Sequence, residues 1–219
     1  MKRKLGFVLA ILFTLALGAT GASADMQEDI DRAVSIIERF QEIPESAIPP
    51  AVLRDAKGLA IMTITKAGFI VSGRGGTGVV IARTETGWSG PSAIGTGGLG
   101  VGFQAGVQVS EYVIVLNTQE AVNAFSKGSN VTLGGNLSAA IGPIGRSPEA
   151  GVTPQAAIYT YGRNQGIFAG VSLEGTVIVT RYSANEEYYG KPMFPADILA
   201  GNVKPPSSAQ KLLDVLSKY

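Results

Sequence analysis

LAIMTITKAGFIVSGRGGTGVVIA, residues 59–82, switches between two textures. Leu59–Thr65 and Gly78–Ala82 are apolar and largely β-branched, whereas glycine gathers at positions 68, 73, 75, 76 and 78. The same alternation runs on to Val179, with Tyr112–Leu116 and Thr176–Thr180 as further apolar runs. Of the 29 glycines, 25 lie between Gly58 and Gly190. β-Branched runs predict strands, and glycine clusters between them predict tight turns. The expected fold class is therefore α+β: a glycine-rich, mainly antiparallel sheet or partly closed barrel, with N-terminal, central and C-terminal helices.

The helices are read from periodicity. Met26, Ile30, Val34, Ile37 and Phe40 recur at three- and four-residue intervals, which predicts one apolar stripe on a helix over 25–42. Asp25, Glu28, Asp29 and Asp31 suit the positive end of its dipole, and Pro44, Pro49 and Pro50 end it. A short helix is expected over 51–57. A central helix follows Asn117, read as its cap with Glu120 three residues on, and closes at Lys127-Gly128. The last helix spans about 207–217, with Leu212, Val215 and Leu216 as its apolar face.

The first 24 residues read as a secretory signal: Lys2, Arg3 and Lys4, then the uncharged apolar run Leu5 to Leu17, then Ala22-Ser23-Ala24 for cleavage before Asp25. Thirteen apolar residues are short against the ~20 that span a bilayer. The expected product is an exported single domain, residues 25–219, periplasmic or secreted and peripheral to a membrane. Its 15 basic and 17 acidic residues give a net charge of −2. So balanced a chain is not drawn strongly as a whole to nucleic acid or anionic lipid, and any anion binding must come from a local patch.

The absence of Cys and His removes thiolate nucleophiles, disulfides, His-dependent triads and His-ligated zinc. Gly73–Gly78 and Gly95–Gly100 both match G-x-G-x-x-G, but Val79-Val80-Ile81 and Val101-Gly102-Phe103 follow as strand, so no helix N-terminus is available for a pyrophosphate. Neither is a phosphate loop, since no Lys-Ser/Thr follows. Glu111 and Glu174 occupy similar places in two segments that echo one another, Ala105–Val115 and Ala169–Val179, and Glu85 and Asp197 are scattered elsewhere. No spacing pairs these acids for acid–base work. No catalytic residue, metal ligand or cofactor site is assigned.

Lys66, Arg74, Arg83, Arg146 and Arg163 all lie in or beside glycine-rich stretches, where accessible backbone N–H groups and a cation together suit phosphates or headgroups. Cations that merely prefer solvent would look the same. Trp88 reads either as an interfacial anchor or as a barrel plug.

A longer set of motifs carries a resemblance. Ala56-Lys57-Gly58-Leu59-Ala60, Lys66-Ala67-Gly68-Phe69, Gly75–Val80, Ala82-Arg83 and Trp88–Gly95 run in order. Leu133–Leu137, Gly142–Arg146, Phe168–Gly175 and Tyr189-Gly190 follow. Over Pro44 to Leu216 the chain resembles the SYLF domain family, which includes exported bacterial proteins and eukaryotic proteins that join this domain to SH3 or FYVE modules. The resemblance implies a non-enzymatic domain that binds phospholipid membranes, with phosphatidylinositol and actin binding in eukaryotic relatives. It implies that an N-terminal amphipathic helix, here through Ile30, Val34, Ile37 and Phe40, contributes to membrane binding; the same stripe would equally serve to dock on a protein partner or a second copy. The chain departs from a basic helix, because six acidic residues lie between Asp25 and Glu42. At about 1 kcal/mol per basic residue near an anionic surface, Arg32 and Arg39 add little there. The expectation is a phospholipid-binding envelope protein, or alternatively an envelope interaction module.

Overall fold

A computed structural model describes residues 26–42, 47–133, 138–141, 156–165 and 176–219, with the backbone alone at 69–72, 99–105, 139–141 and 164–165. The signal sequence, Arg146 and Glu174 lie outside the described residues. The architecture is mixed α+β: a curled antiparallel half-barrel with helices at its N-terminal, central and C-terminal regions.

Helix α1 spans Met26–Glu42 and α2 Pro50–Asp55. Two long strands follow, β1 (Gly58–Thr84) and β3 (Ser92–Leu116), joined through the short β2 (Gly87–Trp88). Then come α3 (Gln119–Ser126), β4 (Val131–Thr132), β5 (Ala139–Ile141), β6 (Ile158–Gln165) and β7 (Val177–Thr180). Helices α4 (Tyr182–Tyr189), α5 (Pro195–Leu199) and α6 (Gln210–Leu216, after a 3-10 turn at Ser207–Ala209) complete the chain. The sheet order is β2-β1-β3-β6-β5, with β7 bridging β3 and β4; only β5–β6 is parallel.

The glycine clusters were expected to be turns, and most are not. Gly73–Gly78 lies inside β1 and Gly95–Gly100 inside β3, and the two stretches face each other, Gly75 opposite Gly97 and Thr77 opposite Gly95. Their role is to let β1 double back on itself. The Arg83 N–H donates to the Lys57 carbonyl at 2.8 Å. A Cβ on Gly58 would stand 2.8 Å from the Ile81 carbonyl oxygen, and one on Gly76 2.5 Å from that of Thr63. A Cβ on Gly78 would overlap the Ile61 carbonyl oxygen and approach Met62 Cα to 2.6 Å. Only glycine permits such backbone-on-backbone contact.

Strand alternation then sorts the core into two layers. Odd positions Leu59, Ile61, Val79, Ile81, Val113 and Val115 meet α1, which lies across the outer face. Even positions Ala60, Met62, Val80, Ile94, Tyr112 and Ile114 fill the inside of the curl with Val122 and Phe125 of α3. The cap of α3 is Thr118, whose hydroxyl accepts from Ala121 N–H at 3.2 Å; Asn117 instead donates to the Ala156 carbonyl at 2.9 Å. Helices α4 and α5 were not foreseen.

Candidate functional site

The contacts between the two arms of β1 (57 with 83, 61 and 62 with 78, 63 and 64 with 76) run toward the bend, and Lys66 and Arg74 lie beyond them, one on each arm. Both are even positions, on the inner face of the curl. Arg74 is exposed and arches over the ladder: a Cβ on Gly98 would stand 3.0 Å from its Nε. Lys66 is half-buried and pairs in register with Gln108, whose Nε2 donates to Ser110 Oγ at 3.3 Å. Tyr112 closes the floor. Burial pushes its phenol above the ordinary value, while the Ser110 hydrogen bond and the Arg74 charge pull it back.

The other predicted cations sit elsewhere. Arg83 Nη2 donates to the Leu53 carbonyl at 3.2 Å and its Nε to Ala56 at 3.3 Å, so it closes the C-terminus of α2. Its guanidinium lies 4.1 Å over the Trp88 ring, and burial lowers its pKa against the opposing effect of Asp55. Trp88 Nε1 donates to the Leu216 carbonyl at 3.2 Å, which makes Trp88 a plug at the closed end. Arg163 Nη1 donates to the Arg39 carbonyl at 3.3 Å, in the last turn of α1.

The helix stripe faces the sheet in this structure. Ile30 and Val34 are 0% exposed, Ile37 1% and Phe40 8%, all packed in the α1 layer of the core. Apolar residues on one helix face had two destinations, bilayer or sheet, and here the sheet takes them.

Two buried carboxylates that hold the helix were missed or misread. Asp29, 2% exposed, accepts 2.7 Å bonds from Arg32 Nη2, Thr77 Oγ1 and Arg181 Nη1. The sequence marked it only as a dipole partner, because Thr77 and Arg181 are distant in the chain. Glu111, 6% exposed, is held by Arg39 through a fork of 3.1 and 2.6 Å. Such bidentate neutralisation makes Glu111 a structural anion. Among the described residues no group of three acids is placed to hold a metal, and no helix is long and apolar enough to cross a membrane.

Exposed large apolar side chains lie on β7, at Val177 and Val179, and at two further places. Val107, 73% exposed, sits at the bend beside Gly106, whose φ is +143°. Phe194, 62% exposed, stacks edge-on with the 44% exposed Tyr182 at 6.4 Å, at the far side near α3 and α5.

Comparison with known proteins gives the ancestry. Residues 97–219 match the family described as "Ysc84: Las17-binding protein actin regulator". The cattle and human SH3 domain-containing YSC84-like protein 1 are each 45% identical over 204 residues, which covers 90% of this chain and 60% of the relative. The yeast LAS seventeen-binding protein 3 is 47% identical over 177 residues, 78% of this chain and 39% of its own length. The chain thus spans about three-fifths or less of these relatives. With more than half its length matched by the family and 90% of it covered by a relative 45% identical, the chain belongs to the Ysc84 family, the SYLF domain proteins.

Proposed function

We propose that the chain is a non-enzymatic module of the cell envelope that docks on anionic phospholipid, contacting headgroup phosphates through Lys66 and Arg74. The observation that carries this reading is the charge distribution of the ribbon. Across β1 the only ionisable side chains are Lys66, Arg74 and Arg83, all cationic, and Arg83 is tied to the closed end. Lys66 and Arg74 stand at the open end, with no acid in either strand nearer than Glu111, which Arg39 neutralises. The signal-like leader supports export, and the carboxylates held in ion pairs give no acid–base pair for catalysis.

The test is co-sedimentation of the chain from Asp25 with neutral and anionic vesicles. At about 1 kcal/mol per basic residue near an anionic surface, Lys66→Gln with Arg74→Gln lowers partitioning roughly 30-fold. Binding that falls with added salt fits the reading. Equal binding to neutral and anionic vesicles, or no effect of the double variant, refutes it.

The Tyr182–Phe194 pair favours a second reading, a protein-interaction module, in keeping with relatives whose names state Las17 binding and actin regulation. Light scattering of the chain beside Phe194→Ser separates the two: self-association or partner binding lost with Phe194 assigns that face to protein.

A further inference from the structure

We infer that the bend of the β1/β3 ribbon enters the membrane interface as an apolar wedge, with Lys66 and Arg74 at its phosphate rim; this rests on the phospholipid reading above. The outer, odd-numbered face of the ribbon is covered by α1 at Leu59, Ile61, Val79, Ile81, Val113 and Val115. Beyond those positions the same face continues without cover from described residues, through exposed Thr65, Ala67 and Val107 and the exposed Gly73, Gly75 and Gly97. Ala67 and Val107 are cross-strand partners, so the most exposed large apolar side chain among the described residues sits on the ladder itself.

Composition at the bend fits a lipid surface. Residues 67–73 and 86–110 carry no ionisable side chain, and the sequence there supplies Phe69, Ile70, Val71, Leu99, Val101 and Phe103. A protein partner would be met by a polar, mixed-charge rim. Among the described residues of the β1/β3 ribbon this rim holds cations, Lys66 and Arg74, which complements an anionic headgroup layer. Backbone polar groups are a cost near hydrocarbon unless paired. The ladder answers that requirement on both sides of the bend, where 66–68 pair with 106–108 and 70–75 with 97–102; at the shift between them residue 69 and residues 103–105 have no register partner.

Because the chain lacks cysteine, one introduced thiol gives a unique label. An environment-sensitive dye is placed at Val107→Cys and, as control, at Glu85→Cys, in the exposed turn where β1 ends at the closed side. The chain from Asp25, the product expected after leader cleavage, is used beside the full chain. Anionic vesicles of mixed phosphatidylglycerol and phosphatidylcholine should blue-shift the dye at 107 and leave that at 85 unchanged. Val107→Asp, at a site too exposed to disturb packing, should weaken vesicle binding on the order of tenfold, and Val107→Leu should not. Vesicle binding with no shift at 107, or with Val107→Asp unimpaired, overturns the wedge and leaves the phospholipid reading standing. Failure of the unlabelled parent to bind any vesicle overturns both. A shift that grows with protein concentration without vesicles assigns the face to a second copy and overturns the wedge.

Discussion

Gly78 and Gly75 lie three residues apart in one strand, and the doubled-back course of β1 gives them opposite fates on substitution by alanine. At Gly78 the new Cβ would overlap the Ile61 carbonyl oxygen and stand 2.6 Å from both Cα and Cβ of Met62, inside the 3.0 Å floor that real Cβ atoms respect. Both neighbours are held in the ladder by pairing with Val113 and Tyr112, so neither can yield alone. Overpacking of well-filled sites costs about 1–3 kcal/mol and sometimes more. With backbone against backbone, Gly78→Ala should lose about 3 kcal/mol or more. At Gly75 a Cβ meets nothing within 4 Å among the described residues, and the backbone there is ordinary strand. Gly75→Ala should therefore gain about 0.5–1 kcal/mol, chiefly by restricting the unfolded chain. The two variants should differ by about 4 kcal/mol, which is about 2 M in urea midpoint at a slope of about 2 kcal/mol per molar. Fluorescence of the single tryptophan, Trp88, follows the transition. Equal midpoints for the two variants would refute the contact between the arms of β1.

Other outcomes follow from the groups that fasten α1 and from the buried phenols. Asp29→Ala removes the buried carboxylate that Arg181, Arg32 and Thr77 all bond, the Arg181 side chain being only 16% exposed, and should cost about 3–5 kcal/mol in urea denaturation. Arg32→Ala leaves two of the three donors in place and removes a side chain 42% exposed, so its loss should stay within about 1 kcal/mol; equal losses would refute the three-donor clasp. Burial raises the phenol pKa of Tyr112, Tyr161 and Tyr189 above the ordinary 10.0. The unfolded chain then releases those protons first, so stability is full below pH 10 and falls as pH rises beyond it. The check is the urea midpoint against pH together with phenolate absorbance; a decline centred near neutrality would refute it, since no histidine is present to cause one.

The strand texture, the α1 stripe and the central and terminal helices were legible because each depends on periodicity within one segment. Glycine misled because it signals turns locally, whereas here its use is set by a distant strand arm. A mirror signal was nevertheless present. Gly73–Gly78 and Gly95–Gly100 are equally spaced about the turn near Thr86, as a hairpin requires. Among the cations, sequence grouped Arg83 and Arg163 with Lys66 and Arg74, since carbonyl partners such as Leu53 and Arg39 leave no mark in the sequence beside an arginine. Asp29 was visible only as an acid in a first helical turn. Its partners lie 48 and 152 residues away, beyond any local pattern.

Magnitudes also decide between the helix and the ribbon as the element that meets lipid. For α1 to insert, Ile30, Val34, Ile36 and Ile37, each at most 1% exposed, must leave the sheet, at about 1.5–3 kcal/mol apiece. Lipid would repay that transfer for the helix. It would not repay the sheet, where Val79, Ile81, Val113 and Val115 would then face water, nor the Asp29 and Glu111 ion pairs that would break. The bend requires no such disassembly, because Val107 and Ala67 are exposed already. A substitution such as Ile37→Asp therefore reports on folding before it reports on membranes: it places a carboxylate in the core at a cost of several kcal/mol. Loss of vesicle binding in that variant with a lowered urea midpoint would say nothing for helix insertion. Only a variant that keeps the parent's midpoint and loses vesicles, at the stripe rather than at Val107, would return the membrane contact to α1.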